Sequence, residues 1–221
     1  MLNELTKTDS DPTRATAPGM LIVVSSPSGG GKGTLIDRVL QIVPGVSYSV
    51  SFTTRAPRVT EQDGREYFFV DRATFEQMIE RGEFLEWADV YGQLYGTGCT
   101  QVERELAAGR DIILEIDVQG AESIRNKIPE AVSIFILPPS YDLLRERLVA
   151  RGTDSAAELE KRLRGAPTEV EQYKHFQYVI LNDDINRGCL SASYITRDVY
   201  LVGHDTQVCS HIPAHLWHRV Y

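Results

Sequence analysis

Between residues 20 and 43 the chain runs from an unbroken apolar stretch into a glycine-rich turn and then into a helical pattern. Few folds accommodate that succession. Residues 21–24 read as a buried strand that stops at Ser25-Ser26-Pro27-Ser28. Gly29, Gly30 and Gly31 follow, then Lys32, Gly33 and Thr34, after which Leu35, Ile36, Val39, Leu40 and Val43 recur at helical spacing. Glycines let backbone N–H groups converge on an anion, and the positive end of the helix dipole points at the same spot. Lys32 adds a full charge suited to the outer phosphates of a nucleoside triphosphate. The match to G-x-x-x-x-G-K-[ST] departs in two places. Ser26 stands at the first glycine, and Gly33 stands where a Mg²⁺-binding hydroxyl is usual.

The 221 residues suffice for one sizeable core. A net charge of −8 argues against nucleic acid or an anionic membrane surface as the main partner. Any phosphate affinity must then come from local basic clusters. Cys99, Cys189 and Cys209 fit neither a disulfide framework nor metal-ligand spacing, which points to a reducing, cytoplasmic setting. No apolar run nears the ~18 residues of a membrane span, and the polar N-terminus with its early acids argues against a secretory signal.

Residues 1–19 carry hardly any large apolar side chain after Leu5 and read as a disordered tail. Residues 48–52 read as a strand leading into Thr53-Thr54-Arg55-Ala56-Pro57-Arg58, where Pro57 keeps both arginines on an extended segment. Those arginines are either solvated or an anion grip. Residues 59–98 break into short strands and one helix, 73–81, capped by Asp71. A helix at 101–108 precedes an apolar strand, 112–117, whose Glu115 and Asp117 are two apart and so share a face. Asp117 reads either as a Mg²⁺ acid at a strand end or as a cap on the helix at 121–127. A buried strand at 132–137 ends in Pro138-Pro139. Two helices, from 140 to Gly152 and over 156–172, carry Arg145, Arg147, Arg151, Arg162 and Arg164, which suit either i,i+4 pairing or a lid closing over phosphates. A last strand, 178–181, leads to Asn182-Asp183-Asp184.

These separated motifs, taken in order, resemble guanylate kinases, which pass the γ-phosphoryl of ATP to GMP. The resemblance spans residues 20 to about 184. It rests on Ser26-Pro27-Ser28-Gly29 through Lys32, Thr53-Thr54-Arg55 with Pro57-Arg58, and Gly64 with Tyr67-Phe68-Phe69-Val70. Phe84-Leu85-Glu86, Tyr95-Gly96-Thr97, Ile116-Asp117 with Gln119-Gly120-Ala121, residues 134–140, Arg151-Gly152 and residues 179–184 complete it. It implies an α/β fold: a P-loop core with a mostly parallel five-stranded sheet flanked by helices (20–52 and 99–139). A small strand-rich GMP-binding insertion (53–98), a helical lid (140–175) and a last core strand and turn (176–184) would be added to it.

The family's site residues carry over by position. Ser26, Pro27, Ser28, Gly29, Gly30, Gly31, Lys32, Gly33, Thr34 and Asn182 would bind ATP. Arg55, Arg58, Tyr67 and Tyr95 would grip the GMP phosphate, and Ser51, Glu86, Thr97 and Asp117 would read the guanine. Lys32, Arg147, Arg151 and Arg162 would stabilise the transferring phosphoryl, and Asp117 would help hold Mg²⁺, directly or through water. A carboxylate such as Glu86 can accept both N1–H and the 2-amino group of guanine, whereas adenine has no N1 donor. The acceptors expected are GMP and dGMP, in a monomer or a homodimer. A non-catalytic interaction module of this family and a P-loop kinase for another small phosphorylated substrate are the competing readings, and Lys32, Arg55 and Glu86 weigh against them. Residues 185–221 depart from the family's amphipathic final helix. Gly188 sits inside the expected helix, residues 194–202 alternate like a strand, and His204, His211, His215, His218 and Cys209 match no zinc template.

Overall fold

In the computed structural model the described residues are 18–152 and 155–183, with Gly188 and Ala192. The readings of residues 1–17 as a tail and of most of 185–221 as an atypical segment, including its histidines, lie outside them.

Five strands form one sheet, whose three central members are buried on both faces. The five are β1 (Leu21–Ser25), β2 (Val46–Tyr48), β7 (Asp111–Glu115), β8 (Val132–Leu137) and β9 (Tyr178–Leu181), arranged β2-β7-β1-β8-β9. Every pairing is parallel, so the sheet expected to be mostly parallel is wholly so. Side chains alternate across it. Ile22, Val24, Ile113, Ile134 and Ile136 pack beneath Leu35, Ile36 and Val39 of α1 (Lys32–Ile42). On the other face Leu21, Val23, Ile112, Leu114, Phe135 and Leu137 meet Val102 of α3 (Cys99–Ala107), Ile124 of α4 (Val118–Lys127) and Val170 of α6 (Ala156–Glu171). Central β1 has β7 on one side and β8 on the other, so the crevice at its carboxyl end is a topological switch point.

The insertion forms a second sheet, β4-β3-β6-β5, from β3 (Phe52–Thr53), β4 (Phe68–Phe69), β5 (Phe84–Val90) and β6 (Gln93–Gly98). It packs on α2 (Arg72–Glu80), whose N-cap Asp71 accepts from Thr74 N–H at 2.7 Å. Phe75, Met78, Phe84 and Leu94 are its core. Phe75 and Phe84 stack with centroids 4.4 Å apart, and a Cβ on Gly96 would stand 2.9 Å from Phe84 Cδ1 and 3.0 Å from Phe75 Cζ.

The strand expected at 48–52 is in fact two strands in different sheets. Ser49 N–H still reaches Ile113 O of β7 at 3.0 Å, but Val50 N–H turns to the Gln101 side chain at 3.2 Å. Phe52 then joins Phe68 (4.8 Å) and Phe84 (5.7 Å).

The segment expected to form a lid consists of α5 (Tyr141–Arg151), capped by Ser140 and stopped by Gly152, and α6, which opens on a Ser155/Glu158 capping box. Leu144, Leu148 and Ala166 join them. Pro167 lies inside α6 and cannot donate to the Leu163 carbonyl. The Tyr141 hydroxyl donates to that carbonyl instead, at 3.3 Å. Beyond β9, Gly188 and Ala192 have helical backbone and are buried, with Ala192 in the α1-side core. Gly188 is a poor helix former, but a Cβ there would come within 2.9 Å of Leu35 Cδ1.

Candidate functional site

At the carboxyl ends of β1 and β7, between the sheet, the insertion and the lid, lies a cleft of about 520 Å³. Its floor is the loop from Ser26 to Thr34. Gly31 is the N-cap of α1 with φ 87°, a left-handed conformation that glycine adopts without strain. No side chain caps α1, so its first amides face the cleft as an anion site. Lys32 Nζ donates to Ile116 O at 3.2 Å and stands 3.8 Å from Glu115 Oε1.

Glu115 holds a position the sequence left unassigned. β7 ends there, while Asp117 lies past the strand as N-cap of α4. The two carboxylates therefore do not share a strand face. Asp117 Oδ1 accepts from Gly120 N–H at 3.0 Å and Oδ2 from Gln119 Nε2 at 3.2 Å. Glu115 Oε2 accepts the Tyr48 hydroxyl at 3.1 Å, and burial followed by the Glu115 charge pushes Tyr48 far up, keeping it a donor. The Glu115 oxygens lie 3.6 and 3.8 Å from where a Cβ on Gly33 would stand. Beside the missing P-loop hydroxyl there is thus a carboxylate.

On the opposite wall Arg55 and Arg58 converge on Glu61, another residue the sequence reading missed. Arg55 Nη1 and Nη2 donate to its two oxygens at 2.9 and 2.8 Å, and Arg58 N–H donates at 2.7 Å. Burial alone would push the Glu61 carboxyl up, but the Arg55 and Arg58 bonds outweigh it and hold the group below its ordinary value. Arg55 Nε donates to Tyr95 Oη at 3.3 Å, and its guanidinium lies 5.5 Å from the Tyr67 ring centre. An acid three residues after Arg58 was the available signal, and in a polar loop it reads as a solvated charge.

Deeper in the cleft Glu86 is 3% exposed. Burial lifts its carboxyl to about 7, opposed by the Thr97 hydrogen bond and aided by the Asp117 charge. Thr97 Oγ1 donates to Glu86 Oε1 at 2.6 Å. Ser51, Glu86 and Asp117 line the cleft, whereas Thr97, expected to touch the ligand, stands behind Glu86.

The lid arginines separate. Arg151 and Arg162 line the cleft, and Arg162 Nη1 donates to Ser28 Oγ at 2.7 Å. Arg147, expected to close over phosphates, instead braces the loop from outside the cleft. It donates to Gly30 O at 3.3 Å and to Asn182 O at 3.1 Å. Asn182, expected beside the ATP nucleoside, is buried and donates to Gly30 O at 2.9 Å. Arg164 pairs with Glu160 on an exposed helical face.

A cleft with an amide-rich loop and lysine on one side, a guanidinium pair opposite and a buried carboxylate between them can align two phosphate-bearing molecules. Comparison with known proteins agrees. A family model described as Guanylate kinase matches residues 19–196. The chain is 49% identical over 189 residues to a guanylate kinase of Thiobacillus denitrificans, covering 86% of this chain and 90% of that one. It is 52% identical over 168 residues to one of Aromatoleum aromaticum, covering 76% and 82%. Among solved structures, guanylate kinase from Anaplasma phagocytophilum superposes with a TM-score of 0.70 at 34% identity, covering 86% of this chain and 90% of that chain.

Proposed function

The chain belongs to the guanylate kinase family and transfers the γ-phosphoryl of ATP to GMP, and from that premise we propose how its own residues divide the work. The observation that carries the assignment is that Lys32 and its loop, the Arg55–Arg58 pair and Glu86 all line one cleft. Lys32 and the loop amides hold the ATP phosphates. Arg55 and Arg58, with Tyr67 and Tyr95, hold the GMP phosphate against the repulsion of the tetra-anionic donor. Glu86, with Ser51 and Asp117, reads the guanine edge. No covalent nucleophile is needed, because a GMP phosphate oxygen attacks in line. The protein's task is alignment and charge neutralisation, to which Lys32, Arg151 and Arg162 contribute. Arg147 and Asn182 act indirectly, by fixing the Gly30 carbonyl and with it the loop. dGMP is expected to serve as an acceptor as well.

Mg²⁺, which travels with ATP in this chemistry, would neutralise charge between the β- and γ-phosphates. The residues present fit such an ion. Among the described residues no cluster of three or more His, Cys, Asp or Glu is poised to hold a metal alone, which suits an ion held by phosphate oxygens and water. Glu115 is the better-placed carboxylate, because it stands beside Gly33, where the loop hydroxyl is missing, whereas Asp117 is held at the start of α4.

Coupled ADP release with GMP, dGMP, AMP and UMP tests the assignment. Turnover of GMP and dGMP with negligible use of AMP is expected, and equal turnover of AMP and GMP would remove the guanine-reading role of Glu86. Glu115→Gln is expected to raise the Mg²⁺ concentration for half-maximal turnover several-fold, more than Asp117→Asn does. The reverse order would return the metal role to Asp117. No helix among the described residues is long and apolar enough to cross a membrane, and the scattered cysteines support a cytoplasmic location.

A further inference from the structure

On α6, Arg162, Gly165 and Glu169 fall at i, i+3 and i+7 and so share one face. Arg162 Nη1 donates to the Ser28 hydroxyl at 2.7 Å, and two turns later Glu169 Oε2 accepts the Ser28 backbone N–H at 2.9 Å. The other Glu169 oxygen, Oε1, accepts the Tyr91 hydroxyl at 2.9 Å. Tyr91 belongs to the insertion, at the β5–β6 turn. It has φ 58°, the one positive φ of a non-glycine residue among those described. Such backbone strain persists where surrounding contacts over-determine it, and those contacts are here. The Tyr91 ring lies 5.7 Å from the Arg162 guanidinium and 5.2 Å from Lys161 Nζ. Burial, then the Glu169 charge, pushes the Tyr91 phenol up, so it stays a donor. Between the two charged residues, Gly165 admits the ring. A Cβ there would stand 2.5 Å from Tyr91 Oη but 3.5 Å from Cζ.

We propose that Tyr91, Gly165 and Glu169 are positioning residues: a latch that docks α6 on the acceptor-side hairpin and on Ser28 and thereby holds Arg162 at the donor loop. Glu169 is the junction, because its two oxygens serve different substrate halves. β5 carries Glu86 near one end and leads directly into Tyr91 at the other, so the guanine reader and the latch ride on one strand. The latch supplies preorganisation: without it Arg162 samples other orientations and reaches the transferring phosphoryl less often. A glutamine at 169 has one acceptor oxygen for two donors, so it can keep only one half of the junction.

The inference rests on the reading of Arg162 as a lid arginine, and four single variants and one double variant separate the two claims. Tyr91→Phe and Glu169→Gln should each lower kcat about tenfold, the scale of a lost hydrogen bond to a charged group. Isothermal titration should find the Kd of GMP alone and of a non-hydrolysable ATP analogue alone within about twofold of the parent, since the altered polar atoms are taken up by each other and by Ser28. Gly165→Ala should lower kcat at least as far as Tyr91→Phe, and the Gly165→Ala/Tyr91→Phe double variant should return to the Tyr91→Phe value. The clash is with the hydroxyl, and the remaining ring contact is an ordinary one. Unchanged kcat in Tyr91→Phe and Glu169→Gln, or a Gly165→Ala loss that Tyr91→Phe does not relieve, overturns the latch. So does an equal loss of kcat and of both affinities, which marks a merely structural role. Arg162→Ala discriminates further: a parental kcat there defeats the reading of Arg162, whereas a loss there beside unchanged Tyr91→Phe and Glu169→Gln defeats the latch alone.

Discussion

With Glu86 as the proposed guanine reader, GMP recognition should depend on pH near neutrality. Its carboxyl is buried and lifted from 4.5 to about 7, first by burial and then by the Asp117 charge, against the pull of the Thr97 hydrogen bond. The folded-state value lies above the unfolded one, so the protonated form is favoured in the fold. The associated stability is complete below pH 4.5 and is lost as pH rises to about 7. At 1.36 kcal/mol per pH unit, that loss is on the order of 3 kcal/mol. Binding guanine reverses the preference, because accepting N1–H and the 2-amino group requires the carboxylate. GMP must therefore expel a proton from Glu86 below about pH 7. Its apparent Kd should weaken about fivefold from pH 7 to pH 6 and flatten above pH 8. GMP's own phosphate ionises near pH 6, so guanosine, which lacks it, is the control ligand. Calorimetry at pH 6.5 in two buffers of different ionisation enthalpy counts the protons released. The expected count is most of one for guanosine and near zero for Glu86→Gln, and the Kd of an ATP analogue should stay flat across the range. Zero protons released by guanosine from the parent enzyme, or identical pH profiles for parent and Glu86→Gln, would refute the assignment.

Two further perturbations follow from the packing. Glu61→Ala removes the group that orients Arg55 and Arg58 and should raise the KM for GMP about tenfold, with kcat and the KM for ATP little altered. A KM within about twofold of the parent would mean that the arginines orient themselves. Gly96→Ala drives a methyl group into the stacked Phe75 and Phe84 rings and should cost roughly 1–3 kcal/mol. It should appear as a lower urea midpoint at constant m-value, and an unchanged midpoint would show that the rings can move aside.

The parts legible in the sequence are those whose burial is uniform. β1, β8 and β9 are mostly apolar runs that pack into the cores on the two faces of the sheet, and the glycine loop announces itself by composition. What escaped depends on where pairing stops. Tyr48 and Phe52 look like one strand, and only the diversion of Val50 N–H to Gln101 divides them between two sheets. Glu115 and Asp117 are equivalent as letters. Their roles part because β7 ends between them, leaving one carboxylate at the loop and the other on a helix cap. For Arg147 the family resemblance implies a place at the phosphates, yet Gly30 and Asn182 take its donors. Tyr91 and Glu169 carry no local signal, since their partners are distant in sequence, and the one signal for Glu61, an acid three residues past Arg58, reads as a solvated charge in a polar loop. Gly188 reads as a helix breaker on propensity, yet its backbone is helical and packs close to Leu35.

Glu61 gives the acceptor site a tethered counter-ion. Two arginines left facing water would gather anions from solution, and GMP would have to displace them. Here the neutralising charge is fixed to the chain and never diffuses away. A passing chloride or lone phosphate meets a site already half neutralised, so its electrostatic gain on entering is small. A ligand carrying a base as well as a phosphate can draw on Glu86 too. Acceptor selection then depends little on the ionic background and chiefly on whether one molecule spans both ends of the cleft.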